Sequence, residues 1–235
     1  MPTAALADIH GNLQALEAVL ADPRLAAVER IVVLGDVVAG TFPAETFDRV
    51  AALGDRARIL RGNAERVVLD DDGEESRWAR GLLGPDRLAA MRVWPASFAI
   101  DVEQLGAVRC CHATPGDDEE LLTRITPEAD FAAALEGIEE PVVIGGHTHV
   151  QFDRVVGSHR YVNAGSVGRP YEGRPGAYWA LLGPGIELLR TEYDVEAAAE
   201  AVRRSGQPST ERVVETLLRP PTAEEATAEW EAARG

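Results

Sequence analysis

Seven side chains of this 235-residue chain carry carboxylate, imidazole or amide groups at short offsets: Asp8 and His10, Asp36, Asn63, His112, and His147 with His149. Those are the donor types that hold divalent transition metals. Such ions polarise phosphoryl or carbonyl oxygens and acidify bound water. Four of the five histidines belong to the set. The fifth, His159, falls in an expected hairpin turn and is expected to be exposed. Taken singly, the motifs have plainer uses. Asp8-Ile-His-Gly-Asn12 serves equally as a helix-capping turn, Gly35-Asp36 is a common loop start, and Gly62-Asn63-Ala64 makes a tight turn. Gly145-Gly-His-Thr-His149 says more, because alternating histidines with small neighbours reach one site from one loop; two solvated loop histidines is the other reading.

The predicted elements explain why the set belongs together. Residues 3–7, 31–34 and 57–60 read as short apolar strands, the second β-branched and uncharged as in strands buried on both faces. Between them, Asn12 caps a helix with apolar positions Leu13, Leu16, Val19 and Leu20, and a second helix covers 43–53. The acidic run 70–75 is expected to be a solvated loop, followed by helices over 78–83 and 85–94, with Pro85 suited to a first helical position. The second half is mainly strand: 97–102, 107–111, 142–144, 151–156, 160–162, 177–182 and 186–191. A helix over 127–135, capped by Thr126, interrupts it. From Val195 the chain is helical; Pro220-Pro221 breaks it, and Thr222 with Glu225 forms a capping box. Residues 1–207 are expected to make one domain, with 208–235 as a helical C-terminal appendage. All the candidate donors then follow strands. Sites in open α/β sheets gather beyond the carboxyl ends of strands, so five strand ends deliver donors to one rim.

Composition narrows the partners. All basic residues are arginine, 23 against 39 acidic residues, for a net charge of −16. Such a surface repels nucleic-acid backbones and anionic membranes, which argues against any long polynucleotide. There is no 18-residue apolar stretch and no basic segment leading into an apolar run, so a cytoplasmic location is expected. Cys110 and Cys111 are neighbours, and a bond between adjacent cysteines is strained; buried thiols on a strand are expected, with a redox role as the alternative. The sequence leaves the oligomeric state open.

In order, Asp8-x-His10, Gly35-Asp36, Gly62-Asn63, His112 and Gly146-His147-x-His149 resemble the metal-binding motifs of the calcineurin-like metallophosphoesterases, over a span from about residue 3 to residue 170. Asn163-Ala-Gly-Ser-Val-Gly168 is similar to the Asn-Pro-Gly-Ser segment of the small bacterial phosphodiesterase branch. The resemblance implies an α/β fold, a four-layer α/β/β/α sandwich of two mixed sheets with outer helices. It implies two divalent transition-metal ions, one held by Asp8, His10, Asp36 and His149, the other by Asp36, Asn63, His112 and His147, with Asp36 bridging. Two carboxylates and five neutral ligands leave such a pair with a charge of about +2, which attracts a phosphate ester. Manganese is expected, and iron, nickel or zinc also suit these ligands. The attacking group would be a hydroxide bridging the ions, with no side-chain nucleophile; Ser166, the nearest candidate, is expected to serve a turn.

One position departs from the family pattern. Many members carry Gly-Asn-His-Glu or Gly-Asn-His-Asp at the third motif, where the histidine protonates the leaving oxygen. This chain has Gly62-Asn63-Ala64-Glu65. Positioned acid catalysis is worth about 10²–10⁴-fold, and its loss bears most on leaving groups of high pKa. The expectation is a hydrolase of small phosphodiesters, weak on ordinary monoesters. The alternatives are a non-catalytic scaffold on the same fold, as in the retromer subunit, a nuclease, and a phosphomonoesterase or protein phosphatase. Intact ligands weigh against the scaffold and the acidic surface against the nuclease. Arg169 and Arg174 flank the Asn163 segment and either contact substrate phosphate or pair with an acidic face.

Overall fold

A computed structural model describes residues 2–234. Strands β1 (Thr3–Leu6), β2 (Arg30–Val33) and β3 (Ala57–Ile59) run parallel. β9 (Ala177–Leu182) joins β1 antiparallel and carries β10 (Ile186–Thr191), giving a five-stranded sheet of order β10-β9-β1-β2-β3. The second sheet contains β4 (Ser97–Val102), β5 (Gly106–Cys111), β6 (Val142–Gly145), β7 (Phe152–Val156) and β8 (His159–Asn163), in the order β4-β5-β6-β8-β7. Its three inner strands are parallel and both edges antiparallel, so both sheets are mixed.

The two-residue period of a strand sorts the side chains into layers. Ala4, Leu6, Ile31 and Val33 face outward onto a core shared with helices α1 (Leu13–Leu20), α2 (Pro43–Ala51), α3 (Asn63–Asp70) and α4 (Glu74–Arg92). Their neighbours Ala5, Ala7, Val32 and Leu34 face the other way, against Ile100, Val108, Cys110 and Ile144 of the second sheet. That sheet's far side packs Cys111, Val143 and Tyr161 on Phe131 of α5 (Glu128–Ala134). The result is the expected α/β/β/α sandwich. The adjacent thiols of Cys110 and Cys111 are free, fully buried and face different cores; burial pushes Cys110 up to about 12, which suits inert packing rather than redox chemistry.

Several local expectations change. α3 is a helix that the sequence reading leaves as a turn, and Glu74 and Glu75 open α4 instead of lying in the acidic loop. The two helices expected on either side of Gly84 are α4, broken where Gly84 adopts φ 70° and ψ 170°. Thr126 does not cap α5; its hydroxyl donates to Glu231 at 2.5 Å. His159 begins β8 rather than sitting exposed in a turn, and its Nε2 donates to the Ile138 carbonyl at 2.9 Å.

The final third ends in α6 (Val195–Ser205), α7 (Thr210–Leu218) and α8 (Ala223–Ala233). α6 and α7 share a small core of Ala199, Val202, Val214 and Leu217. α8 opens on the expected Thr222–Glu225 capping box and returns to the second sheet's loops, where Trp230 Nε1 donates to the Thr148 carbonyl at 3.0 Å. Among the described residues no helix is long and apolar enough to cross a membrane.

Asp22 ties the end of α1 to β10. Its carboxylate accepts from Arg24 and from the Thr191 hydroxyl, each at 2.6 Å, and Thr191 in turn accepts from Trp179 Nε1 at 3.0 Å. The Arg24 hydrogen bond holds this carboxyl well below the usual carboxylate range. Asp22→Asn is expected to lower stability by about 1–3 kcal/mol at neutral pH in urea unfolding. A depressed folded-state pKa stabilises above the ordinary carboxylate range and loses that effect as pH falls toward the folded value. The curves of variant and parent are therefore expected to converge in acid.

Candidate metal centre

The seven candidate donors meet where the carboxyl ends of β1, β2 and β3 face those of β5 and β6. Five of them, Asp8, His10, Asp36, His147 and His149, have φ between 48° and 72°. Among the described non-glycine residues only Gln104 and Ser209 share that left-handed backbone. Each such residue costs about 1–3 kcal/mol and persists where its surroundings over-determine it. Neighbouring loops do so here. Asp8 N–H donates to the Gly35 carbonyl, His10 N–H to Asp36 and Gly11 N–H to Val37, at 2.8–3.2 Å. Ser166 Oγ donates to the Asp8 carbonyl at 2.7 Å and accepts from Arg169 N–H at 2.8 Å, the turn role expected of it.

Glu65, a residue the sequence reading gave no role, holds the strand ends together. It is fully buried, and its two oxygens accept from the N–H groups of Asp36, Val37, Val38 and Gly62 at 2.7–3.2 Å. Glu65 reaching back to the Gly62 N–H is one half of a capping box, the half that glycine, having no side chain, cannot reciprocate; a glutamate three residues past the helix start is the local signal for it. The clamp brings Gly62 so close that a Cβ there would lie 2.2 Å from Asp36 Oδ1. Gly146 is as tight, with a Cβ falling 2.4 Å from Asp8 Oδ2.

The imidazoles are aimed from behind. Nδ1 of His10, His112 and His149 lies 3.0, 2.7 and 2.7 Å from the carbonyls of Ala39, Leu34 and Arg169. A carbonyl only accepts, so each Nδ1 carries the proton and, in the neutral ring, Nε2 keeps its lone pair. Those Nε2 atoms converge. His10 and His149 approach to 3.0 Å, and Asp8 Oδ1 lies 3.4 Å from His149, 3.9 Å from His112 and 4.0 Å from His10. Asp36 turns Oδ2 toward His10 at 3.6 Å and Oδ1 toward His112 at 3.4 Å, which is the placement of a carboxylate between two ligand groups. Asn63 Oδ1 is 2.9 Å from His112 Nε2. His147 stacks edge-on against His112, but its Nε2 faces the Glu119 carbonyl at 3.2 Å, so Nδ1 is the nitrogen it has left for a metal.

This geometry fits cations. Two imidazole lone pairs 3.0 Å apart repel unless a positive charge lies between them, and Asp8 Oδ1 is buried with no hydrogen-bond donor at all. Donors about 2.1 Å from one tetrahedral metal stand about 3.4 Å apart, close to what is seen. Among the described residues, Asp8, His10 and His149 form one compact group and Asp8, Asp36 and His112 another. The residues fit divalent metal binding.

The electrostatics tell the same story. Burial works to raise the Asp8 carboxyl, but the charges of His149, His112 and His10 outweigh it and hold it well below the usual range. Burial pushes Asp36 up to about 8, reinforced by the Glu65 and Asp8 carboxylates against the pull of His112. Burial and the charge of His149 bring His10 down to about 3, and burial and His112 bring His147 down to about 4. Burial opposes charging of His112, yet Asp36 and Asp8 raise it above the usual imidazole range.

A second set of supporting residues comes from far along the chain. Tyr171 packs on the His149 ring at 4.7 Å between centroids, and Trp230 of α8 packs on Tyr171 at 6.3 Å. Arg169 reaches the rim beside His10 with its Nε buried and unpartnered, whereas Arg174 pairs with Glu192 on the surface.

Residues 1–182 match the calcineurin-like phosphoesterase superfamily domain, and the chain belongs to that family. An uncharacterized protein of Methanocaldococcus jannaschii, MJ0912, is 25% identical over 87% of this chain and 93% of its own. The crystal structure of a metallophosphoesterase from Sphaerobacter thermophilus superposes with a TM-score of 0.76 at 24% identity, covering 93% of this chain and 99% of that one. The hypothetical protein PH1004 from Pyrococcus horikoshii OT3 superposes with a TM-score of 0.82 at 18% identity, covering 94% and 99%. Both solved structures match more of the chain than the family domain does, and both share its fold.

Glu65→Ala strands four buried N–H groups. It is expected to cost about 3 kcal/mol or more in urea unfolding and to weaken manganese binding in calorimetric titration. Glu65→Gln keeps one acceptor oxygen and is expected to fall between Glu65→Ala and the parent.

Proposed function

We propose that the protein is a dinuclear-metal phosphodiesterase acting on small phosphate esters. Asp8, His10, Asp36 and His149 would hold one ion, and Asp36, Asn63, His112 and His147 the other. The observation that carries this reading is the convergence of imidazole Nε2 atoms on two buried carboxylates, of which Asp8 keeps one oxygen, Oδ1, without a hydrogen-bond donor. When bound, divalent ions supply such a site with Lewis acidity toward phosphoryl oxygens and with an activated water.

The remaining work falls to the chain. Backbone carbonyls fix the three ring orientations, and Glu65 fixes Asp36, so the donors are preorganised rather than gathered by the ligand. Arg169 offers an unspent guanidinium donor to a phosphoryl oxygen at the rim. Ser166 is committed to its turn in both directions and supplies no nucleophile. At residue 64, where the family's acid stands, the side chain is a methyl group lining the rim, so no proton is donated from there. That favours esters whose leaving oxygen departs without one. An acidic chain, a cytoplasmic location and a small substrate are parts of the same reading.

With manganese, kcat/KM for bis-p-nitrophenyl phosphate is expected to exceed that for p-nitrophenyl phosphate by roughly tenfold or more, given what positioned acid catalysis is worth. A strong monoester preference would sink the diesterase reading. The purified protein is expected to hold about two ions by elemental analysis. Asp8→Asn is expected to lower both that content and turnover, the latter by about 10²-fold or more. A parent that binds no metal would favour the scaffold.

A further inference from the structure

The metal cluster is one end of a larger cavity. From His10, Asn63 and Ala64 a space of about 250 Å³ runs outward between α3, α4, α6 and α7. Its far wall is apolar: Val67 and Val68 of α3, Trp78 of α4, Val202 of α6, and Val213 and Leu217 of α7. Val67 is 38% exposed, a large apolar side chain left uncovered, and this cavity is what it faces. The outer helices α6 and α7 lie beyond the residues that match the family domain.

Several polar groups along the wall are already occupied. Asn12 donates to the Gly168 carbonyl and the Tyr193 hydroxyl and accepts from Ala15 N–H. The Thr41 hydroxyl donates to Gln207 at 2.5 Å. At the mouth Arg212 pairs with Glu75 at 3.1 Å, and the Ser209 hydroxyl donates to the same carboxylate at 2.5 Å, which latches α7 to α4. Among the described residues that line the cavity, Arg169 at the metal end is the one with a buried side-chain donor that lacks a partner. The cavity is therefore polarised, with cation-seeking ligands and a free guanidinium donor at one end and hydrocarbon at the other. Ala64 is what joins the two ends. A larger side chain there would project into the passage, so the residue that removes the family's acid also opens the way to the apolar wall.

We infer that this cavity is a specificity site for an uncharged apolar group esterified to the substrate phosphate, of the size of one aromatic ring with a short extension. The inference rests on the phosphoesterase reading above. A cavity of about 150 Å³ accommodates a benzene ring, so 250 Å³ leaves room for a few carbons more. A nucleobase is disfavoured, because at the far end its hydrogen-bonding edges would meet the aliphatic side chains of Val67, Val68, Val202, Val213 and Leu217.

The test is calorimetric binding of phenylphosphonate and methylphosphonate to the manganese-loaded protein. Burying a ring rather than a methyl group is expected to make phenylphosphonate bind roughly tenfold or more tightly. Val67→Trp fills the cavity from α3 and Val213→Trp fills it from α7; either, once its melting temperature and manganese content match the parent, is expected to collapse the ratio to within about threefold. Equal affinities in the parent, or a ratio that survives both fills in folded protein, would overturn the cavity inference and leave the metal-centre reading standing. If neither phosphonate binds the loaded protein, the phosphoesterase reading fails and takes this inference with it.

Discussion

Everything at the rim depends on one buried carboxylate that touches no candidate metal ligand side chain. Glu65 accepts four backbone N–H groups drawn from two different strand ends, and in doing so fixes where Asp36 can be. Removing it would strand four donors around a fully buried position, which is far costlier than losing one ordinary hydrogen bond. Its negative charge also acts on its neighbour. Burial and the nearby Glu65 and Asp8 carboxylates hold the Asp36 proton up to about 8 against the pull of His112. The clamp that shapes the loop thus sets up a charge imbalance that cations relieve.

The site is also a measure of how the sheets sit on each other. Asp8, Asp36 and Asn63 come from the first sheet, and His112, His147 and His149 from the second. Their distances are held by the core between the sheets, where Ala5, Ala7 and Val32 meet Ile100, Cys110 and Ile144. Small residues on β1 let the second sheet approach, and close packing leaves little freedom to slide. A change of volume in that core would be felt at the donors before it was felt at the surface.

Much of this was readable in the chain because strand periodicity and strand-end motifs are local. Every strand expected from the sequence is present within a residue or two at each end, and the residues that follow β1, β2, β3, β5 and β6 meet as expected. What was missed depends on partners distant in sequence. Gly62-Asn63-Ala64 has the local look of a tight turn, while the Glu65 carboxylate at the start of α3 is shared with Asp36, 29 residues away. Thr126 has the chemistry of a cap, but Glu231 takes its hydroxyl from across 105 residues. His159 looked solvated until Ile138 supplied a carbonyl. The cavity had no local signature at all, since its wall is assembled from separate helices that the chain reaches at different times.

The stack of Trp230 on Tyr171 on His149 has a bearing on the order in which the protein folds. Asp8 precedes α8 by some two hundred residues, yet the ring it faces is supported from that helix. Contacts of such separation form late, because the entropy of closing the loop must be met first. A folding chain can therefore complete its parallel strands and place Asp8, Asp36 and Asn63 well before the His149 ring has its full support. The full support of the His149 ring is in this sense a late acquisition, and it marks the docking of α8 rather than the folding of the sheet that supplies Asp8 and Asp36.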